Sequence, residues 1–416
     1  SLWRRVRQQK DCGYTGRKSM NLYLIALFLL AAGSLAERKY PEYEKRLYQF
    51  CWLVLTALLC LRFGQGTDYV TYHAIYDTIP ATVDLQHGYI CGYYPEIGWR
   101  LVSAAFKLLH IPFQGFAFVL GLADMALLHR FLEKYVPWKV AGLFLAYPVL
   151  YVVYMVSGLR QGLAICIFLG IALPYYLEKK WIPYTAAVIL AMSFHKAGCA
   201  WFLLVIAAYV PMKVLFFLTG LSAAGGLVLQ IRMVQELVLR LIPLYHMEQF
   251  LRGGSPSFFA VGERLVTFGV LAVLYCRKYR AEDKADPEVE AVMKACTCGL
   301  CIYMFLFGNA YYASRFAVIF KVLEIMPAVR LMEGRDRTAR MAAVFFLSLT
   351  LLMGVKNLNA AVREGGYSRL GVHVLTYPYI SLFRPERIND YFDYEEKRKE
   401  IYGYNIEDQI LWIVEE

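Results

Sequence analysis

Apolar residues in this chain collect into long unbroken blocks instead of alternating or recurring on one face. Runs of about 14 to 20 such residues return between Asn21 and Lys356, the length needed to cross a hydrocarbon core of about 30 Å. Backbone groups in lipid must be satisfied within the segment, so such runs form helices or closed barrels. Dyad alternation is absent, and the pattern predicts an all-α polytopic membrane protein. The expected spans are 20–36, 47–63, 114–131, 138–156, 161–178, 182–194, 197–210, 212–231, 262–277, 291–308, 316–333 and 341–356, about twelve in all. No small-residue cleavage site follows Leu22–Ala36, so this run reads as a retained span. The segment 96–110 differs. Arg100, Ser103, Lys107 and His110 fall on one side, while Trp99, Leu101, Val102, Phe106 and Leu109 cover much of the rest. That pattern predicts an amphipathic helix lying in the interface.

Composition agrees: 59% of the residues are apolar and 19% charged, where a soluble domain keeps about a quarter charged. The net charge of +11 fits Lys and Arg gathered in cytoplasmic loops and at headgroup level, and no nucleic-acid partner is expected. The basic segments 129–135, 177–181, 276–284 and 333–340, with Lys213, mark the cytoplasmic side. Alternation then puts 64–113, the Ser157–Gln161 turn, the His195 turn, 232–261, Asn309–Arg315 and the region after 356 outside. The basic segment 1–19 also falls outside, against the same tendency, which leaves the orientation of the first helix open. The expected division is a basic N-terminal segment 1–19, a membrane domain 20–383, and a charged, aromatic tail 384–416 reading as a surface extension. Most of the ten cysteines lie inside apolar segments. Cys296, Cys298 and Cys301 open an apolar helix without a nearby His or second pair, and read as small core residues and not as a metal site.

Polar groups at membrane depth are expensive, so each is a functional candidate. Arg62 ends the second span, and Asp68, Tyr69 and Tyr72 follow it. Glu96 opens the interfacial helix, Ser157, Arg160 and Gln161 separate two apolar spans, His195 and Lys196 interrupt another apolar run, and Arg315 follows NAYYAS. Each has a plainer reading: Asp68 or Glu96 can cap a turn or helix, Arg160 can snorkel to headgroups, and any one Tyr can belong to an interfacial belt. Their convergence on one predicted outer face favours a site. Arginine forks suit phosphates, a carboxylate or His can take a proton from a hydroxyl, and aromatic faces can support sugar rings.

At these residues the sequence resembles the EpsG family, Wzy-like polymerases of exopolysaccharide and O-antigen synthesis. The matching pieces are GTDYVTY (66–72), PEIGW (95–99), SGLRQGLAI (157–165), SFHKAG (193–198), YYASRFAV (311–318) and TYPYISLF (376–383), with RQ about thirty-five residues before FHK. The resemblance implies a GT-C-like glycosyltransferase of the bacterial cytoplasmic membrane with an extracytoplasmic site and interfacial helices. Such an enzyme joins repeat units carried on undecaprenyl pyrophosphate into exopolysaccharide, capsule or O-antigen. Arg160 and Arg315 would bind the pyrophosphate, with Arg62, Gln161, Tyr72 and Lys196 as further binding groups. Asp68, Glu96 or His195 would activate the acceptor hydroxyl. No nucleotide sugar, metal or other cofactor is expected, and partners would be membrane lipids and a chain-length regulator or flippase.

Two rival readings stay open at this level. An O-antigen ligase would share the fold logic and differ in acceptor. A transporter or flippase for lipid-linked glycans would be expected to carry repeated halves, and none is visible in the sequence.

Overall fold

The computed structural model describes residues 21–79, 96–241, 245–282 and 286–401. The expected segment 1–19 and the end of the tail, 402–416, lie outside the described residues. Among the described residues the chain is helical without named strands; a single isolated bridge joins Arg62 to Ser381.

The expected apolar runs are helical, 316–333 being divided between two helices at Glu324, and fewer than the expected twelve are long and apolar enough to span. Among the described residues, five helices are long and apolar enough to cross a membrane: α5 (Phe113–Tyr135), α7 (Leu159–Leu177), α13 (Phe258–Glu282), α14 (Pro287–Leu306) and α17 (Arg337–Glu364). A sixth exists if α10 (Met212–Val228) and α11 (Arg232–Leu241), which meet at a 93° bend, form one broken span. The others are α1 (Leu22–Lys39), α2 (Glu44–Cys60), α6 (Lys139–Met155), α8 (Trp181–Met192), α9 (Lys196–Ala207), α15 (Ala310–Leu323) and α16 (Ile325–Met332). At about 1.5 Å rise per residue, the 12 residues of α8 reach only about 18 Å, short of a hydrocarbon core of about 30 Å. α8 and α9 are therefore two short pieces broken at His195.

α7 is the most enclosed of the five and α13 the most open. Phe258, Phe259, Val266 and Val273 on α13 are exposed, as a lipid-facing surface requires. α1 is tied at both ends. Asn21 caps it, accepting from the Tyr23 and Leu24 amides, and donates to the Val374 carbonyl at 2.6 Å. At the far end the Glu37 carboxylate accepts from the Val140 and Ala141 amides at 3.0 and 3.1 Å, satisfying the otherwise unpaired first donors of α6.

The segment expected at the interface is the helix α4 (Ile97–Leu108), with much of its polar side turned inward. Ser103 and Trp99 are buried, and Lys107 donates to the Asp77 and Ile79 carbonyls at 2.8 and 2.5 Å. Ile97, Leu101, Leu108 and Leu109 form an exposed apolar stripe, the arrangement of a helix lying at a lipid boundary.

The tail is less detached than its composition predicts. Ile388 and Tyr394 are buried in the core, and a Cβ on Gly64 would meet the Ile388 side chain. Tyr394 bonds His73 Nδ1 at 2.9 Å, and Arg398 pairs with Asp77 at 2.5 Å. The described tail thereby clasps α3 (Tyr69–Thr78) from outside.

Candidate functional site

The site begins at the loop after α2. Phe63 donates to the Ile380 carbonyl and Leu382 to the Leu61 carbonyl, both at 2.8 Å, so 61–63 lies antiparallel to 380–382. Gly66 has φ +113°, and a Cβ there would sit 2.3 Å from the Val156 carbonyl oxygen. Only glycine permits both that conformation and that approach. The Thr67 amide then donates to the Ser157 hydroxyl at 3.3 Å, docking the loop on the α6–α7 turn. Asp68 opens α3 with its side chain exposed. Protein packed behind it raises its carboxyl above the ordinary value, opposed by the Thr67 hydroxyl and the charges of Arg315 and Arg160.

Arg160 stands in the first turn of α7. No side chain caps this helix, which follows Gly158, so its positive end opens on the same space. α6 takes a π-helical course over Tyr147–Met155, and α7 over Phe168–Ala172; such widened stretches recur at functional sites. The Arg160 guanidinium meets the Glu96 carboxylate at 2.6 Å, both side chains being largely enclosed. It lies 5.6 Å from the centre of the buried Tyr72 ring, whose hydroxyl also bonds it. Gln161, on the next position, donates to the Arg315 carbonyl at 2.9 Å and so binds α7 to α15. Arg315 is half-buried, and its guanidinium stacks on Tyr311 at 3.9 Å.

Glu96 is placed by the contact of α4 with the turn after α8. The Gly98 amide donates to the Ser193 carbonyl at 2.7 Å, and a Cβ on Gly98 would come within 2.3 Å of the Ser193 hydroxyl. The same turn carries His195, which is buried and caps α9, its Nδ1 accepting from the Ala197 amide at 3.3 Å. Burial, with the charges of Arg160, Arg315 and Lys196, holds the imidazole down to about 3. The ring is therefore neutral at pH 7 and, with Nδ1 accepting, carries its proton on Nε2.

Asp68, Tyr72, Glu96, Arg160, Gln161, His195 and Arg315 are thus linked by direct contact or by mutual electrostatic influence. One expected residue stands apart, and another lies at the edge of the set. Arg62 is buried and donates to the Leu59, Met155 and Val156 carbonyls, with Tyr69 5.6 Å away. Its two terminal nitrogens tie the backbone together. Lys196 is exposed at the edge. The Glu96 carboxylate is held by the Arg160 guanidinium, and the Nδ1 of His195 is taken up by the Ala197 amide.

The sequence reading missed a second polar cluster. Glu263 on α13 pairs with Lys321 on α15, Arg264 lies 4.6 Å over Tyr303, and Glu324 shares a small pocket with the pair. Charges within the runs at 262–277 and 316–333 were the available signal. Cys296 donates to the Phe320 carbonyl at 3.5 Å, while Cys298 and Cys301 border a cavity.

No curated protein and no solved structure matches the chain. The sequence does match the EpsG family over residues 45–381, a stretch that takes in α3, α4, the α6–α7 turn, the His195 turn, Arg315 and the 376–381 strip. With most of its length matched, the chain belongs to the EpsG family.

Proposed function

We propose that the chain is a membrane glycosyltransferase that polymerises undecaprenyl-pyrophosphate-linked oligosaccharide repeat units. Its place is the extracytoplasmic face of a bacterial cytoplasmic membrane, on a many-span, GT-C-like scaffold, and its product is exopolysaccharide, capsule or O-antigen. The observation that carries this reading is the convergence of two arginines, a neutral histidine and an open aspartate beside apolar helices in an EpsG-family chain.

The growing glycan, on its lipid pyrophosphate, is the donor. The terminal sugar of the next lipid-linked unit is the acceptor. The acceptor hydroxyl attacks the anomeric carbon, a glycosidic C–O bond forms, and the bond from that carbon to the pyrophosphate oxygen breaks. Asp68 receives the hydroxyl proton. Arg160 and Arg315 balance the charge that grows on the departing pyrophosphate, Glu96 fixes the plane of the Arg160 fork, and the His195 Nε2–H donates to a leaving or bridging oxygen. Lys196 at the rim and Tyr72 beneath Arg160 complete the binding surface. No cofactor takes part. A chain-length regulator or flippase is the natural partner.

Purified protein in lipid, given lipid-linked repeat units and no nucleotide sugar, should build a ladder of longer glycans. Translocation of the units across liposomes without any ladder would overturn the enzyme reading.

A further inference from the structure

A cavity of about 1010 Å³ lies beside the polar cluster, walled by α9, α10, α14 and the start of α15, with α11 and the following helix α12 (Tyr245–Arg252) closing over it through Val238, Phe250 and Leu251. Its walls are apolar, with Leu203, Leu218, Ile302 and Phe305 among them. Ser222 and Tyr312 bring the hydroxyls found among its described lining. The cavity and the cluster share elements. Tyr312 and Phe316 line it three residues before and one after Arg315, and Cys199 and Ala200 line it just beyond His195 and Lys196. α15 packs directly on the 196–202 segment. The roof is tied to the same corner, because the Asn309 side chain, which caps α15, donates to the Phe250 carbonyl at 3.0 Å, and Phe250 sits edge-on to Tyr312.

We propose that this cavity holds the isoprenoid chain of the donor, with its pyrophosphate at the Arg315 end. The inference rests on the polymerase reading and deepens it by giving the donor lipid its own subsite. Charge complementarity selects the occupant. A pyrophosphate carries more than one negative charge; Arg315 stands between the lining residues Tyr312 and Phe316, Lys196 precedes the lining Cys199 and Ala200, and both charges act with Arg160 on the neighbouring His195. A phosphodiester lipid carries a single charge and two chains that diverge at the glycerol. A single methyl-branched isoprenoid chain fits a single apolar cavity whose lining adjoins Arg315 on α15. The 93° bend between α10 and α11 carries Val238 of α11 into the cavity lining. Apolar burial of the chain then anchors the donor while its sugar reaches Asp68.

The test uses the full-length protein in phospholipid nanodiscs and a sugar-free isoprenoid pyrophosphate with a photoreactive diazirine near the far end of its chain. Crosslinks should fall on peptides from α9, α10 and α14. Excess undecaprenyl pyrophosphate should lower them tenfold or more, the change expected when a specific site is filled, and the same excess of phosphatidylglycerol should leave them unchanged. Ile302→Trp should fill the cavity and cut crosslinking by about tenfold with an unchanged melting midpoint; should that variant not fold, Leu218→Phe serves. Crosslinks on the outer face of α13, equal competition by phosphatidylglycerol, or unaltered labelling in the folded variant would overturn the proposal. The readout needs no glycan transfer. Specific crosslinks without a ladder would sink the polymerase reading alone, and a ladder without them would sink the tail subsite alone.

Discussion

Arg160 and Glu96 lie 64 positions apart in sequence and 2.6 Å apart at their charged atoms. Taking Arg160 to Ala leaves an enclosed carboxylate unpaired, which costs about 3–5 kcal/mol, so that variant mixes lost folding with lost chemistry. Glu96→Gln is cleaner. It keeps a hydrogen-bond acceptor for the guanidinium and removes the charge that fixes it. Transfer should fall by about 10²-fold, the cost of misplacing a catalytic group by about 1 Å, and circular dichroism should report an unchanged fold. His195 and Asp68 separate by pH. An imidazole held at about 3 stays neutral through the working range, whereas the Asp68 carboxyl is raised above its ordinary value. A base must be unprotonated, so kcat/KM should rise with pH through the Asp68 titration. That acid limb should persist in His195→Gln, whose amide can still donate, and Asp68→Asn should lose both limb and activity. An acid limb that vanishes in His195→Gln would assign the proton to histidine instead.

Single close approaches hold the elements of the site together. Gly66→Ala would force a Cβ against the Val156 carbonyl at a φ of +113°, pushing the Asp68 loop off the α6–α7 turn. The expected result is activity reduced by tenfold or more, with loss of stability of about 1–3 kcal/mol, the range for strained backbone positions; thermal denaturation beside a transfer assay checks both. The Glu263–Lys321 pair joins α13 to α15, and Lys321→Met alone should destabilise by about 3–5 kcal/mol, while adding Glu263→Leu should recover most of the loss. The helices themselves were readable from sequence, because an apolar run is a one-dimensional signal. The charged residues at their ends were readable for the same reason. What each charge faces was not. Arg62 is turned to carbonyls by the pairing of 61–63 with 380–382, more than 300 residues away. The His195 tautomer is set by a capping bond to Ala197. Apolar runs such as 138–156, 182–194 and 197–210 were legible as helices, but helix length is set by breaks in the fold, and these helices are shorter than a span requires.

At the scale of the whole molecule, the described tail packs on α3, the helix that Asp68 opens. His73, stacked on Phe113 and bonded to Tyr394, is held to about 4 by burial, against the pull of Asp77 and with a push from Arg398, where its ordinary value is 6.5. Between those values the unfolded chain takes a proton that the native chain refuses. The clasp's stability is therefore present above about pH 6.5 and lost as pH falls towards 4. Protease protection of 384–401 should decline over that window, and His73→Leu should flatten the decline. Composition marked this tail as a surface extension because its charges are what sequence displays, while its two buried anchors, Ile388 and Tyr394, are only single residues. On the proposed function, lipid-linked units are joined at the Arg160 cluster. The glycan ladder made by Arg160→Lys, which keeps the charge and removes the planar fork, tests this most directly. The variant should be folded and inserted, with a wild-type melting midpoint, and make no ladder; polymer of normal length from it would overturn the proposal.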